Sequence, residues 1–163
     1  MQSAAAERNA FVSGLRAELV GFRELQQILL AEQECLLRAD AETLPELIEV
    51  KSRHIEQLHG LAGRRAGYLG SLRLDPGRRG MQEWLASRAG IDQPELSALW
   101  QQVLEAANQA RALNGSNGGL IGARLNHNQA ALAALQTAAR SLGTYGPDGQ
   151  PQMPAGQREL GKA

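Results

Sequence analysis

Apolar residues recur every three or four positions along most of the chain, which is the spacing of one face of an α-helix. This pattern predicts four helices, over residues 4–37, 44–72, 79–89 and 93–142. A single apolar stripe on a first helix about 50 Å long cannot bury itself, so packing against a partner helix is expected. The stripe of this helix consists of Phe11, Leu15, Leu19, Phe22, Leu25, Leu29 and Leu36.

The predicted helices are separated by recognisable start and stop signals. The connection over residues 39–43 is short, which predicts that the first two helices are antiparallel neighbours. Thr43 and Glu46 have the spacing of a capping box, and Pro45 suits the first turn of a helix. Asp75-Pro76-Gly77 predicts a turn before the third helix. Because the fourth helix is longer than either partner, part of it is expected to extend past the bundle.

Composition supports the same fold class. Ala and Leu together account for 51 residues, whereas Val, Ile and Thr account for only 12. Ala and Leu lose little side-chain freedom in a helix, so this ratio favours an all-α protein. We therefore predict an elongated antiparallel helical bundle or coiled coil, with two long helices, one short helix and a long C-terminal helix. Residues 1–142 would form one domain, and the Gly- and Pro-containing residues 143–163 a flexible tail.

Charge and cysteine content exclude several classes of protein. The 17 basic and 17 acidic side chains balance, whereas nucleic-acid-binding proteins usually carry a basic excess. One cysteine permits neither a disulfide framework nor a four-cysteine zinc site. The sequence has no secretory signal and no apolar stretch long enough to cross a bilayer, which predicts a cytoplasmic protein without direct membrane insertion.

Candidate catalytic and metal-binding residues are sparse. His54 and His59 are five residues apart, about 140° around a helix, whereas helical zinc ligands usually share one face. Cys35 has no neighbouring base to activate it. The acidic residues, including Glu32 and Glu34, are interpreted as caps or solvated helix faces. The sequence therefore predicts a protein without enzymatic activity, cofactor or metal.

The glycine-rich run at residues 114–122 has two interpretations. The pairs Gly115/Gly119 and Gly118/Gly122 could let another helix approach closely. Alternatively, four glycines that each cost about 1 kcal/mol relative to alanine could form a weak point where the helix bends or unfolds. Both interpretations stay open at the level of sequence.

The apolar stripe from Leu120 to Leu142 is also ambiguous. Most such stripes pack into a protein core. The expected extension of the fourth helix favours the other interpretation, an exposed face that receives an amphipathic helix of a partner protein.

Three motifs stand out in the C-terminal half: Asn114-(x)2-Asn117-Gly118-(x)-Leu120-Ile121, Leu125-(x)2-Asn128-Gln129-Ala130-Ala131-Leu132 and Tyr145-Gly146-Pro147-Asp148-Gly149-Gln150. Together they resemble the FlgN-type flagellar export chaperones. The resemblance extends over about residues 10–150 and is looser in the N-terminal half.

The resemblance implies a small helical cytoplasmic chaperone that binds the hook–filament junction proteins FlgK and FlgL before export. It further implies delivery of these proteins to the export gate component FlhA. Tyr145 and Gly146 match the motif associated with the gate. The residues expected to bind the substrate protein are Asn114, Asn117, Gly118, Leu120, Ile121, Leu125, Asn128, Leu132 and, from the apolar stripe, Leu135.

The alternative hypothesis is a structural coiled-coil protein that self-associates through the same stripes and has no export client. A homo-oligomer is also compatible with the chaperone hypothesis, because an exposed apolar stripe needs a cover when no client is bound.

Overall fold

The structure, a computed structural model, describes residues 2–87 and 93–143. Within these ranges it contains four helices and no strand: α1 (Gln2–Arg38), α2 (Leu44–Ser71), α3 (Arg78–Ala86) and α4 (Gln93–Gly143). The all-α prediction is confirmed, and α3 ends three residues earlier than expected. The predicted tail lies outside the described residues. No helix in the described ranges is long and apolar enough to span a membrane.

The contacts within the chain divide it into two units, residues 1–120 and 121–163. The first unit is the bundle, and the described part of the second is the C-terminal portion of α4. The single domain expected over residues 1–142 stays a prediction.

Side-chain contacts between acidic residues of α1 and basic or histidine residues of α2 define the direction of α2 relative to α1. As the residue number rises along α1, that of the α2 partner falls, which is the antiparallel arrangement predicted from the short connection. The pairs are Glu18–Arg65, Glu24–His54 and Glu32–Lys51.

Side-chain hydrogen bonds define the direction of α4 within the first unit. Gln26 of α1 donates to the carbonyl oxygen of Ala106 at 2.9 Å, and Gln33 donates to Ser116 Oγ at 3.2 Å. The numbers rise together, so this part of α4 runs parallel to α1 and completes a bundle with α2.

Two groups of buried side chains hold the bundle together. The larger group joins all four helices around Trp84, which is fully buried on α3. Phe11 lies 4.2 Å from Tyr68 and 4.7 Å from Trp84 between ring centroids. Close aromatic pairs of this kind add about 0.5–1.5 kcal/mol each beyond the area they bury. The smaller group consists of Leu25, Leu29, Leu58 and Ala110.

The short helix α3 is placed by a close contact with the preceding loop. A Cβ atom on the buried Gly80 would lie 1.8 Å from the carbonyl oxygen of Asp75, so only glycine fits there. The Asp75 carboxylate accepts a hydrogen bond from the backbone N–H of Gly77 at 2.8 Å. The predicted turn at residues 75–77 is thereby confirmed, and it brings α3 back onto the bundle.

The start of α2 differs from the predicted capping box. Thr43 makes no side-chain capping bond. Instead Asp40 accepts hydrogen bonds from the backbone N–H groups of Glu42 and Thr43 and from the Thr43 hydroxyl, the last at 2.8 Å. The Thr43 hydrogen bonds hold the pKa of the Asp40 carboxyl below its usual value. Proline does occupy the first turn, as expected.

The helix α4 continues through the glycine-rich run without a break. A Cβ atom on Gly115, Gly118, Gly119 or Gly122 would meet no described atom within 4 Å. No other helix therefore packs closely against these glycines within the described part of the chain, and a close approach by the helix of a partner protein stays a prediction. The glycines also carry an intrinsic cost to helix stability.

Replacing Gly115 with alanine is expected to raise the free energy of unfolding by about 0.5–1 kcal/mol, because the site is helical and open. Urea unfolding followed by circular dichroism measures the change. Gly80→Ala is the matched comparison and is expected to destabilise, since its Cβ has no space. A loss of stability in Gly115→Ala would contradict the open environment described for this glycine.

Candidate functional site

A buried cluster of three polar side chains joins the helices of the bundle near the glycine-rich run; we call Glu32, Lys51 and Asn117 the polar node. The side chain of Glu32 is 1% exposed. Lys51 Nζ donates to Glu32 Oε1, and Asn117 Nδ2 donates to Glu32 Oε2 at 2.8 Å. Asn117 also donates to the carbonyl oxygen of Leu29 at 2.8 Å. One carboxylate therefore fixes α1, α2 and α4 in register.

A second buried ion pair lies further along the same helices. Arg65 Nε lies 3.0 and 3.3 Å from the two carboxylate oxygens of Glu18. The arginine also lies over Trp100, 5.0 Å from the ring centroid, in cation–π geometry. Burial raises the pKa of Glu18 above its usual 4.5, while the charge of Arg65 and its hydrogen bond act in the opposite direction.

This shift predicts how the stability of the protein depends on pH. Because the folded carboxyl holds its proton to a higher pH than the unfolded one, the folded state binds more protons between the two pKa values. The stability contributed by Glu18 is therefore full below about pH 4.5 and declines as the pH rises through the folded pKa.

Urea unfolding of the wild type and of Glu18→Gln at a series of pH values tests this expectation. The free energy of unfolding of the wild type, minus that of the variant, is expected to fall as the pH rises. If this difference rises over the same pH range, the attraction of the Glu18 carboxylate to Arg65 outweighs the cost of its desolvation.

The sequence interpretation missed both buried carboxylates. Every acidic residue was assigned to caps or solvated faces, and this was wrong for Glu18 and Glu32. A signal was present: positions 11, 15, 18, 22, 25, 29, 32 and 36 alternate in steps of four and three, the spacing of a coiled-coil seam. Two of these seam positions hold glutamate, and their basic partners are on α2.

The second unit contains an exposed apolar face on α4. Ile121, Leu125, Leu132 and Leu135 are 44%, 56%, 58% and 67% exposed. Together with the exposed Asn128, these residues follow steps of four, three, four and three; we call this set the 121–135 face. Every residue from 125 to 140 is exposed. The prediction that this stripe is uncovered in the lone chain is consistent with these exposures.

The remaining predicted substrate-binding residues differ in their surroundings. Asn114 and Gly118 are exposed, and Leu120 is half-buried. Asn117 is buried, and its amide donates to Leu29 and Glu32 within the bundle. Tyr145 and Gly146, predicted to contact the export gate, lie outside the described residues.

Charge distinguishes the described part of the second unit from the bundle. Residues 121–143 contain Arg124, Arg140 and His127 but no acidic residue, whereas residues 1–120 carry 15 of the 17 acidic side chains. An acidic or neutral surface is therefore a better electrostatic match for this segment than a basic one.

No arrangement typical of a metal site occurs in the described ranges. No group of three or more His, Cys, Asp or Glu side chains comes together there. His54 lies 3.2 Å from Glu24 between Nε2 and Oε2, and Cys35 is a half-buried free thiol. The main features of the described ranges are therefore a helical bundle joined by buried polar contacts and an exposed apolar helix face.

Comparison with known proteins places this arrangement in a family. The fold matches a crystal structure described as a candidate flagella synthesis protein FlgN from Pseudomonas aeruginosa, with a TM-score of 0.62 and 22% identity, over 79% of this chain and 94% of that one. No curated protein sequence matches significantly. The family model for the FlgN protein matches residues 1–153. The chain belongs to the FlgN family of flagellar export chaperones.

Proposed function

We propose that this FlgN-family chain is a cytoplasmic chaperone for the hook-associated proteins FlgK and FlgL. In this proposal it keeps the two proteins unassembled and brings them to the export gate. The observation that carries the proposal is the exposed 121–135 face, because an apolar helix face that is uncovered in the lone chain can receive an amphipathic helix of a partner.

Such a chaperone acts by binding one state of its client more tightly than others, and it needs no catalytic group. A client helix laid along α4 would remove Ile121, Leu125, Leu132 and Leu135 from water. Complete burial of side chains of this size stabilises by about 1.5–3 kcal/mol each, and ordering and association costs offset part of the gain. A dissociation constant between about 1 nM and about 1 μM is expected.

The charge of residues 121–143 argues for a heterologous client over a second copy of the same segment. Two copies paired through this segment would bring four arginines together and no carboxylate. A client helix with acidic residues beside its apolar stripe would avoid this repulsion.

The second part of the proposal concerns the export gate. The Tyr145-Gly146 motif matches the family motif associated with the gate component FlhA. We expect Tyr145→Ala to weaken binding to the cytoplasmic part of FlhA and to leave binding to FlgK unchanged. If FlhA binding were unaffected, or if FlgK binding fell equally, Tyr145 would have no specific role at the gate.

Titration calorimetry of the full chain with purified FlgK and, separately, FlgL tests the client assignment. Saturable binding to at least one of them is expected, with a negative heat-capacity change that reports apolar burial. If a folded preparation binds neither protein, the proposed clients are wrong.

The same exposed face also favours a second candidate, a coiled-coil protein that self-associates without a client. Light scattering at micromolar concentration distinguishes the two. A tight oligomer that persists in the presence of FlgK and FlgL, with no heterologous complex, would favour the structural role.

A further inference from the structure

Asparagine interrupts the 121–135 face at its central position. Asn128 follows Leu125 by three residues and precedes Leu132 by four, so it occupies a seam position between leucines. A helix that covers this face must cover Asn128 as well. Because a buried amide without a hydrogen-bond partner costs free energy, the covering helix has to offer it a partner at that one position.

The bundle of the same chain shows which partner an asparagine takes in a helix–helix seam. Asn117, eleven residues earlier on α4, donates to the carboxylate of Glu32 and to the carbonyl oxygen of Leu29, and Glu32 also accepts from Lys51. A buried carboxylate is thus satisfied by one amide and one cation. Asn128 offers the same type of amide donor on the 121–135 face.

We propose that Asn128 determines specificity and register at the client-binding face, and that it does so by receiving an acidic side chain from within the apolar stripe of the client helix. Residues 121–143 contain no carboxylate of their own, so this segment leaves the acidic group for the client helix to supply. If the client helix shifted by one heptad, a leucine of the client would lie against Asn128, and its acidic side chain would lie against an apolar residue of the 121–135 face. Both contacts cost binding free energy, so the shifted register is disfavoured. This inference rests on the proposed function, because it assigns the chemistry of the client at the same face.

Model peptides test the inference without the natural clients. The probes are amphipathic helices of about 21 residues, or three heptads, with leucine at the seam positions. They differ only at the central seam position, which is Glu, Gln or Leu. The wild-type chain is expected to bind the Glu peptide about tenfold or more tightly than the Leu peptide. Asn128→Leu is expected to reverse this order.

Asn126→Leu is the matched control, because Asn126 is also exposed but lies about 160° from Asn128 around the helix. It should retain the preference of the wild type for the Glu peptide. Wild-type binding of the Leu peptide as tight as or tighter than that of the Glu peptide would overturn the proposal, as would a lack of binding to the Glu peptide. A reversal in Asn126→Leu equal to that in Asn128→Leu would also overturn it.

The peptide assay tests the role of Asn128, whereas the calorimetry with FlgK and FlgL tests the client assignment, so either claim can be refuted without the other. If neither junction protein binds but the peptide preference is present, the clients are wrong and the role of Asn128 stands. If FlgK binds but Asn128→Leu leaves the peptide preference unchanged, the client assignment stands and the role of Asn128 is wrong.

Discussion

Replacing Glu32 with alanine is expected to lower the free energy of unfolding by about 3–5 kcal/mol. The change leaves the Lys51 ammonium and the amide of Asn117 without their carboxylate, and an uncompensated buried charge is among the costliest single defects in a core. Lys51 is itself only 17% exposed, so water replaces the lost partner incompletely. Urea unfolding at neutral pH measures the difference.

Glu34→Ala is the matched control on the same helix. The side chain of Glu34 is 60% exposed and pairs only with Arg38, one turn away. Exposed pairs of this kind contribute about 0.3–0.5 kcal/mol, so this variant should stay close to the wild type. Equal effects of the two substitutions would mean that the polar node does not hold the bundle.

A triple variant separates the cost of an unpaired charge from the loss of packing. Glu32→Leu, Lys51→Met and Asn117→Leu together remove all three polar groups and keep comparable volume. Because no charge is then left unpaired, much of the stability lost in Glu32→Ala is expected to return. If stability stays low, shape at the seam matters more than charge.

The second large effect is expected at the 121–135 face. Leu125→Asp is predicted to weaken binding to FlgK by about 100-fold or more. The substitution removes a leucine that the bound client would bury and places a carboxylate in the apolar interface of the complex. A loss of about 2.7 kcal/mol of binding free energy corresponds to this factor. Leu125 is 56% exposed in the lone chain, so the unfolding of the bundle should be unchanged.

Asn126→Asp is the control for this variant. It introduces the same negative charge one residue away, on an exposed side chain about 100° around the helix from Leu125. Its binding is expected to remain within a few-fold of the wild type. Comparable losses in both variants would indicate that charge alone, and not burial of Leu125, controls the interaction.

The helices and their pairing could be predicted from the sequence because they depend on local signals. Apolar periodicity located α1, α2 and α4. The short connection at residues 39–43 predicted that α1 and α2 are antiparallel. Thr43 does occupy the N-cap position of α2, but its hydroxyl donates to Asp40 within the connection, and the sequence alone does not show which hydrogen bond this side chain makes.

The polar node could not be predicted from the sequence pattern of any single helix. Glu32 and Lys51 are ordinary surface residues until another helix covers both, and Asn117 contributes from a third helix 85 residues beyond Glu32. The placement of α3 depends likewise on Phe11 and Tyr68, which are distant in sequence.

The 121–135 face was easier to predict from the sequence than the polar node. Its spacing is regular, and the expected extension of the fourth helix past the bundle favoured an exposed face. Spacing alone could not decide which positions are covered: Asn117 and Asn128 both belong to the resembling motifs, yet one is buried in the bundle and the other exposed. Asn117 is buried by its contacts with Leu29 and Glu32 of α1, and the periodicity of α4 does not contain those contacts.

Thiol labelling of the 121–135 face tests the central claim most directly. In a Cys35→Ser background, Leu132→Cys and Asn126→Cys place single thiols about 120° apart on α4. Both thiols should react readily in the lone chain at a concentration where it is monomeric. Addition of FlgK should slow labelling at residue 132 about tenfold or more and leave residue 126 nearly unchanged. Protection of residue 132 in the lone monomer, or equal labelling with and without a bound client, would contradict the account.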